Sequence, residues 1–146
     1  MIHIRDQIRI ERPAEVVFDF IADSRNEPTY NPGMRSVTLL TEEPIGAGTR
    51  FRATMGRGGM ELLVTLTEFD RPRMVGSVTT STLLDTQGTL TFSSDGEDAT
   101  IMAWDWQVTP RLWLRLLGPV FGPVGRREER RIWTAARDAL QAAAVT

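Results

Sequence analysis

Acid–base chemistry in this chain rests on carboxylates, one phenol and guanidinium groups, because the other usual agents are missing. There is no cysteine and a single histidine, His3. Thiolate catalysis, disulfides and cysteine-ligated zinc are thereby excluded, and a histidine metal site lacks ligands. Every one of the 17 basic residues is arginine. Among the carboxylates Asp6 stands out. Ile2, Ile4, Ile8 and Ile10 recur with period two, and strict alternation points Asp6 into the same space. A buried carboxylate needs a partner. Asp6 is therefore either an acid lining an interior cavity, its pKa raised enough to exchange protons with a ligand, or a charge matched by arginine or turned outward by a bulge.

Tyr30, the only tyrosine, lies near Asn31 and Arg35 in and beside a turn-rich stretch. A phenol, an amide and a guanidinium there could orient a ligand carbonyl or carboxylate. Turn chemistry and a surface arginine account for the same residues equally well. Trp104 and Trp106 flank Asp105, so in a strand the two indoles share one face and Asp105 takes the other. They serve as core or as the wall of an apolar pocket with N–H donors. Trp113, Leu117 and Phe121, with Gly118-Pro119 and Gly122-Pro123, form an apolar segment that reads as a gate over such a pocket, a membrane-touching patch, or ordinary packing at a helix kink. Asp6, Tyr30 and Arg35 are the candidates for catalysis. Together with Asn31, Trp104, Trp106, Trp113 and Phe121 they are the candidates for ligand binding.

Other spacings argue against chemistry. Glu61 and Glu68 have an odd separation, which puts them on opposite faces of one strand and supports no glycosidase-like carboxylate pair. Gly56-Arg57-Gly58-Gly59 joins two strand-like runs rather than a strand and a helix, so it is a hairpin turn and not a phosphate loop. Arg126, Arg127, Arg130 and Arg131 with Glu128 and Glu129 mix signs at helical spacing and read as a solvated face.

The elements that must position these residues follow from periodicity. A half-buried strand covers 2–10, and Pro13 suits a first helical turn before Val16, Val17, Phe20 and Ile21, giving a helix over 13–22. Residues 23–33 carry turn signals or one irregular helical turn. Strand-like runs follow at 36–42, 49–56, 60–70, 74–82, 86–94 and 99–109, joined too briefly for parallel crossovers, so the sheet is an antiparallel meander. From Pro110 the period becomes helical through Leu112, Leu116, Val120 and Val124, then Ile132, Ala135, Ala136, Ala139, Leu140 and Ala143. The Gly-Pro pairs predict a break near 118–123 and an uninterrupted helix over 124–143. A sheet of six or seven strands and a matching apolar helix make one α+β domain spanning 1–146.

Composition narrows the partners. A net charge of −2 lacks the basic excess that binds a phosphate backbone, so nucleic acid is not expected. Charges at Arg5 and Asp6 fall where a signal peptide needs apolar residues, and no run reaches the roughly 18 apolar residues of a membrane helix, so a cytoplasmic protein without stable membrane insertion is expected. No cofactor or metal is expected, and a homodimer is left open.

Four stretches carry a family resemblance: Ile10-Glu11-Arg12-Pro13-Ala14-Glu15-Val16-Val17-Phe18, Asp23-Ser24-Arg25-Asn26-Glu27-Pro28-Thr29-Tyr30-Asn31-Pro32, Gly46-Ala47-Gly48-Thr49 and Glu68-Phe69-Asp70-Arg71-Pro72-Arg73. With these structural joints the whole chain resembles the START-like (SRPBCC) helix-grip superfamily, in particular its polyketide cyclase/dehydrase and lipid-transport group. Tyr30 stands where many relatives look to have Trp. The resemblance implies a curved antiparallel sheet wrapped around a long C-terminal helix, with short helices after the first strand, enclosing a cavity for an apolar molecule. It implies a pocket, not a reaction. Three functions fit: binding or carriage of a small hydrophobic ligand such as a lipid or aromatic polyketide; a cyclase or dehydratase, which requires at least two polar groups converging in the pocket; and a protein-interaction module whose cavity is filled.

Overall fold

Alternating apolar and polar residues build seven strands: β1 (Ile2–Ile10), β2 (Met34–Leu39), β3 (Arg50–Met55), β4 (Met60–Asp70), β5 (Met74–Thr80), β6 (Leu84–Ser94) and β7 (Thr100–Pro110). The computed structural model describes residues 1–111 and 118–144, with side chains from 122 onward in the second stretch. The strands form one antiparallel sheet in the order β1-β7-β6-β5-β4-β3-β2. It is a meander from β2 to β7 with β1 added beside the last strand. Between β1 and β2 lie helix α1 (Ala14–Ala22) and a 3₁₀ turn over Ser24–Thr29; helix α2 (Gly118–Ala143) ends the chain. This is the helix-grip arrangement, a curved, unclosed sheet with a long C-terminal helix.

Register identifies the two faces. Phe51, Val64, Thr79, Thr86, Val108 and Ile2 lie in one cross-strand row on the inner face. The core gathers there around Trp104, Met102, Phe92 and Leu66, closed by Val17 and Phe18 of α1 and by Trp133, Ala136 and Leu140 of α2. Phe18 stands edge-on to Phe69 and Phe92, at ring separations of 5.1 and 5.2 Å. The outer face carries the charges, including Asp105 between His3 and Arg5.

Two expectations change. A bulge between Leu66 and Glu68 inserts one residue into β4, so Glu61 and Glu68 share the exposed outer face despite their odd separation. Helix α2 begins at Gly118 and runs through Pro123 instead of starting at 124. Pro119 falls in the first turn, where its missing N–H has no partner to lose, and Pro123 forfeits a single backbone bond. Gly125 lets this end lie close on β1: a Cβ there would sit 3.0 Å from Ile4 Cδ1. Val124, expected in the apolar stripe, is 59% exposed. The stripe that faces the sheet is Gly122, Gly125, Glu129, Trp133, Ala136 and Leu140, and one of its members is a carboxylate.

Candidate functional site

Helix α2 covers the inner face unevenly. Beneath it Ile4, Ile8, Trp104, Trp106 and Val108 are buried. Farther across the same face Val64, Ser77, Thr79 and Thr86 are only partly buried. Away from the helix the inner face is therefore only partly covered. Gly88, paired with Trp106, contributes no side chain to it. A Cβ at Gly88 would meet the Asp105 carbonyl oxygen at 1.9 Å, so β6 approaches β7 this closely only with glycine.

Polar groups converge where the 3₁₀ turn meets α2. The Asp23 side chain caps the turn by accepting from the Arg25 amide at 3.0 Å. Asn26 Nδ2 donates to the Phe20 carbonyl at 3.0 Å, and the Tyr30 and Asn31 amides donate to the Glu27 carbonyl at 3.1 and 2.9 Å. These bonds aim Glu27, Tyr30 and Asn31 inward. Asn31 donates to the Glu27 carboxylate, while its own oxygen accepts from the Gly33 amide at 3.1 Å. From α2, Glu129 Oε2 accepts two indole N–H groups, Trp106 at 3.1 Å and Trp133 at 2.8 Å. Tyr30 packs its ring against Phe20 and Trp133, with centroids 5.8 and 6.0 Å away, and Trp133 leans on Trp104 at 6.1 Å.

This setting disfavours ionisation. Burial, and then the charge of Glu129, push the Glu27 carboxyl up to about 7, against the opposing hydrogen bond from Asn31. Burial likewise raises Glu129, although the indole donors of Trp133 and Trp106 favour its charged form. Parts of both side chains remain accessible, but their carboxyl groups are crowded by protein atoms, and that crowding governs the titration. Tyr30 is raised well above the ordinary phenol range by burial and by both carboxylates. Its residue is 6% exposed, and its hydroxyl has no hydrogen-bond partner among the described residues. No enclosed side-chain oxygen or nitrogen among those residues is left unpaired. The Tyr30 hydroxyl is therefore not fully sealed from solvent.

The structure sorts the residues singled out from sequence. Tyr30 and Asn31 are buried at this cluster, and Trp104 and Trp106 line the inner face with Asp105 opposite, as alternation requires. Asp6 does not reach the interior. It lies on the edge strand, about half exposed, where Arg130 of α2 reaches over to it at 3.3 Å and to the Gln7 carbonyl at 2.7 Å. Arg35 is exposed beside the β3–β4 turn near Gly59, apart from Tyr30. Trp113 lies outside the described residues, as does the Phe121 side chain. Glu27, Glu129 and Trp133 were not anticipated. Glu129 sits four residues before Trp133 and four after Gly125, a spacing that the surrounding run of charges conceals.

Two open depressions lie elsewhere. One of about 780 Å³ is lined by Arg52, Leu63 and Thr80 of the outer face with Leu40, Glu61 and Arg111. The other, about 540 Å³, lies among Arg126, Arg127, Arg130, Arg131 and Thr134 on the solvent side of α2. No group of three or more metal-ligating side chains occurs among the described residues, and no described helix is long and apolar enough to cross a membrane.

Comparison with known proteins agrees with this geometry. Residues 1–144 match the family described as polyketide cyclase / dehydrase and lipid transport. No curated protein matches the chain. Among solved structures, a START superfamily protein from Mycobacterium smegmatis superposes with a TM-score of 0.83 at 13% identity, covering 97% of this chain and 98% of that one. The Zhui aromatase/cyclase from a Streptomyces species gives 0.80 at 15% identity, covering 95% and 93%. The di-domain aromatase/cyclase StfQ of the steffimycin pathway gives 0.74 at 16%, covering 94% of this chain and 44% of that one. At these identities the likeness is one of fold.

Proposed function

Because this chain belongs to the polyketide cyclase/dehydrase and lipid transport family, we propose that it binds a small hydrophobic molecule, such as a lipid or aromatic polyketide, in a space between the inner sheet face and α2. The observation that carries this reading is the Tyr30 hydroxyl, held on a buried ring yet without a hydrogen-bond partner among the described residues, in a fold whose inner sheet face is only partly covered. Affinity comes from apolar area removed from water, roughly 25 cal/mol per Å² before ordering costs. Glu27, Tyr30, Asn31 and Glu129 meet the polar part of the ligand. The partly open inner face weighs against a filled cavity. Native mass spectrometry of the purified protein, followed by denaturing extraction, tests the reading. A co-purified apolar molecule at near-stoichiometric occupancy is expected; a protein that carries nothing and takes up no lipid or polyketide from a panel contradicts it.

A second reading is favoured by the convergence of two carboxyls and a phenol at one place. A cyclase or dehydratase needs a base to take a proton beside a carbonyl and an acid to return one to oxygen. Glu27, brought to about 7, exchanges protons readily at neutral pH, and Tyr30 is positioned to donate to a carbonyl oxygen. Turnover of a synthetic poly-β-keto thioester, followed by the absorbance of an aromatic product, tests it. Loss of turnover by at least about a hundredfold in Glu27→Gln supports catalysis, and equal rates with and without the protein rule it out.

A further inference from the structure

The exposed acids that contact neighbouring elements are met by arginine: Asp19 by Arg71 at 2.7 Å, Asp85 by Arg111 at 2.9 Å, Asp95 by Arg9 at 2.9 Å. Glu27 and Glu129 are different. Their carboxyls are enclosed, yet among the described residues neither forms an ion pair, and their partners are the neutral donors Asn31, Trp106 and Trp133. In a chain with 17 arginines, no guanidinium among the described residues pairs with either of these two acids. Enclosed carboxylates are costly without an opposite charge. The surrounding surface is aromatic, with Tyr30, Phe20, Trp133 and Trp104 in successive contact. Independently, the Tyr30 hydroxyl has no hydrogen-bond partner among the described residues, and both carboxylates are close enough to oppose its ionisation.

We infer that the missing charge is brought by the ligand, and that this site takes a hydrophobic ammonium: an apolar body carrying a protonated amine that lies against Glu27 and Glu129 and is flanked by the rings of Tyr30 and Trp133. An ammonium answers the acids, accepts the electron-rich ring faces and donates to the Tyr30 oxygen. A carboxylate or phosphate ligand would instead meet like charge in an enclosed place. The upward displacement of both carboxyls agrees with this, since an empty site resists holding two negative charges and a bound cation relieves it.

The inference rests on the proposed ligand site between sheet and α2, and the test separates the two. Binding of 2-naphthylmethylamine, 2-naphthylmethanol and 2-naphthoate, which share one ring system, is measured by calorimetry at pH 7.5. The amine should bind at least about tenfold tighter than the alcohol, with naphthoate weakest. Glu129→Gln and Glu27→Gln should each lower the amine-to-alcohol affinity ratio by at least about fivefold. Alcohol or naphthoate binding as tightly as the amine overturns the ammonium inference and leaves the hydrophobic site intact. If no member binds, the inference also fails, and the presence of a co-purified molecule then judges the site alone. Should a glutamine variant not fold, the amine-to-alcohol ratio of the unmodified protein decides.

Discussion

The carboxylates outside the sheet and those between sheet and α2 share a chemistry and behave in opposite ways. Asp19 lies in water with a two-pronged arginine partner, Arg71 Nε and Nη2 donating at 2.7 and 2.8 Å, and that partner lowers its pKa. Glu27 and Glu129 lie among indoles, a phenol and an amide, and burial raises them. Solvation decides the difference. A surface ion pair gains little because water already serves both charges, about 0–1 kcal/mol. An enclosed acid loses water and retains only the donors that the fold provides. The outer acids therefore suit a soluble surface, and the inner pair is a standing electrostatic cost that a ligand can relieve.

The comparison breaks most visibly at Trp133, which joins the core to the inner acids. Trp133→Ala should lower stability by about 3–5 kcal/mol, read by urea denaturation, because a buried aromatic is lost and Glu129 loses a donor. A loss no larger than that of a surface substitution would mean that α2 does not seal this side of the core.

Next in size is the pH dependence set by Glu27. Its folded pKa of about 7 lies above the ordinary 4.5, so between these values the folded state holds more protons than the unfolded one. The Glu27 contribution is then full below about pH 4.5 and is lost as pH rises through about 7, by about 3 kcal/mol in all. Glu27→Gln should flatten that decline and make the protein more stable than the unmodified chain at pH 8. Chemical denaturation across pH 4–8 checks this, and an unchanged slope would place Glu27 in water. Smaller again, Trp106→Phe keeps an aromatic ring at this position but removes one indole donor to Glu129, costing about 1–2 kcal/mol and raising the Glu129 pKa further. Smallest is Asp19→Asn on the outer face, at less than about 1 kcal/mol. Its sign with pH is opposite: a lowered carboxylate supports stability above its unfolded pKa and loses that support as pH falls.

The fold was legible because strands and turns obey short-range rules. Alternation located β1 and placed Trp104 and Trp106 together; short connections required antiparallel pairing. The site was legible only in part. Tyr30 and Asn31 could be picked out by residue type in a turn-rich stretch. Glu27, three residues before Tyr30, has no period to betray it, because a 3₁₀ turn held by Asp23 and Asn26 decides its direction. Glu129 was hidden by Arg126, Arg127, Arg130 and Arg131, whose charges make the segment read as solvated on every side. Only the spacing from Gly125 to Trp133 shows that it faces inward. For Asp6 the structure selects the arginine partner over the cavity acid: alternation fixes the face but not whether an edge strand leaves that face open to Arg130.

The central claim, that an apolar ligand sits between the sheet and α2 against the inner acids, is tested most directly at the indole N–H groups themselves. In a nitrogen-15 spectrum, the four tryptophans give four resolvable indole signals, assigned by single Trp→Phe replacements. Adding the tightest-binding naphthyl compound should shift the signals of Trp106 and Trp133, whose protons point at Glu129, and leave the outer-face backbone signals of Gln87 and Gln107 in place. If Trp106 and Trp133 stay fixed while outer-face signals move, the ligand binds elsewhere and the account of this site is wrong.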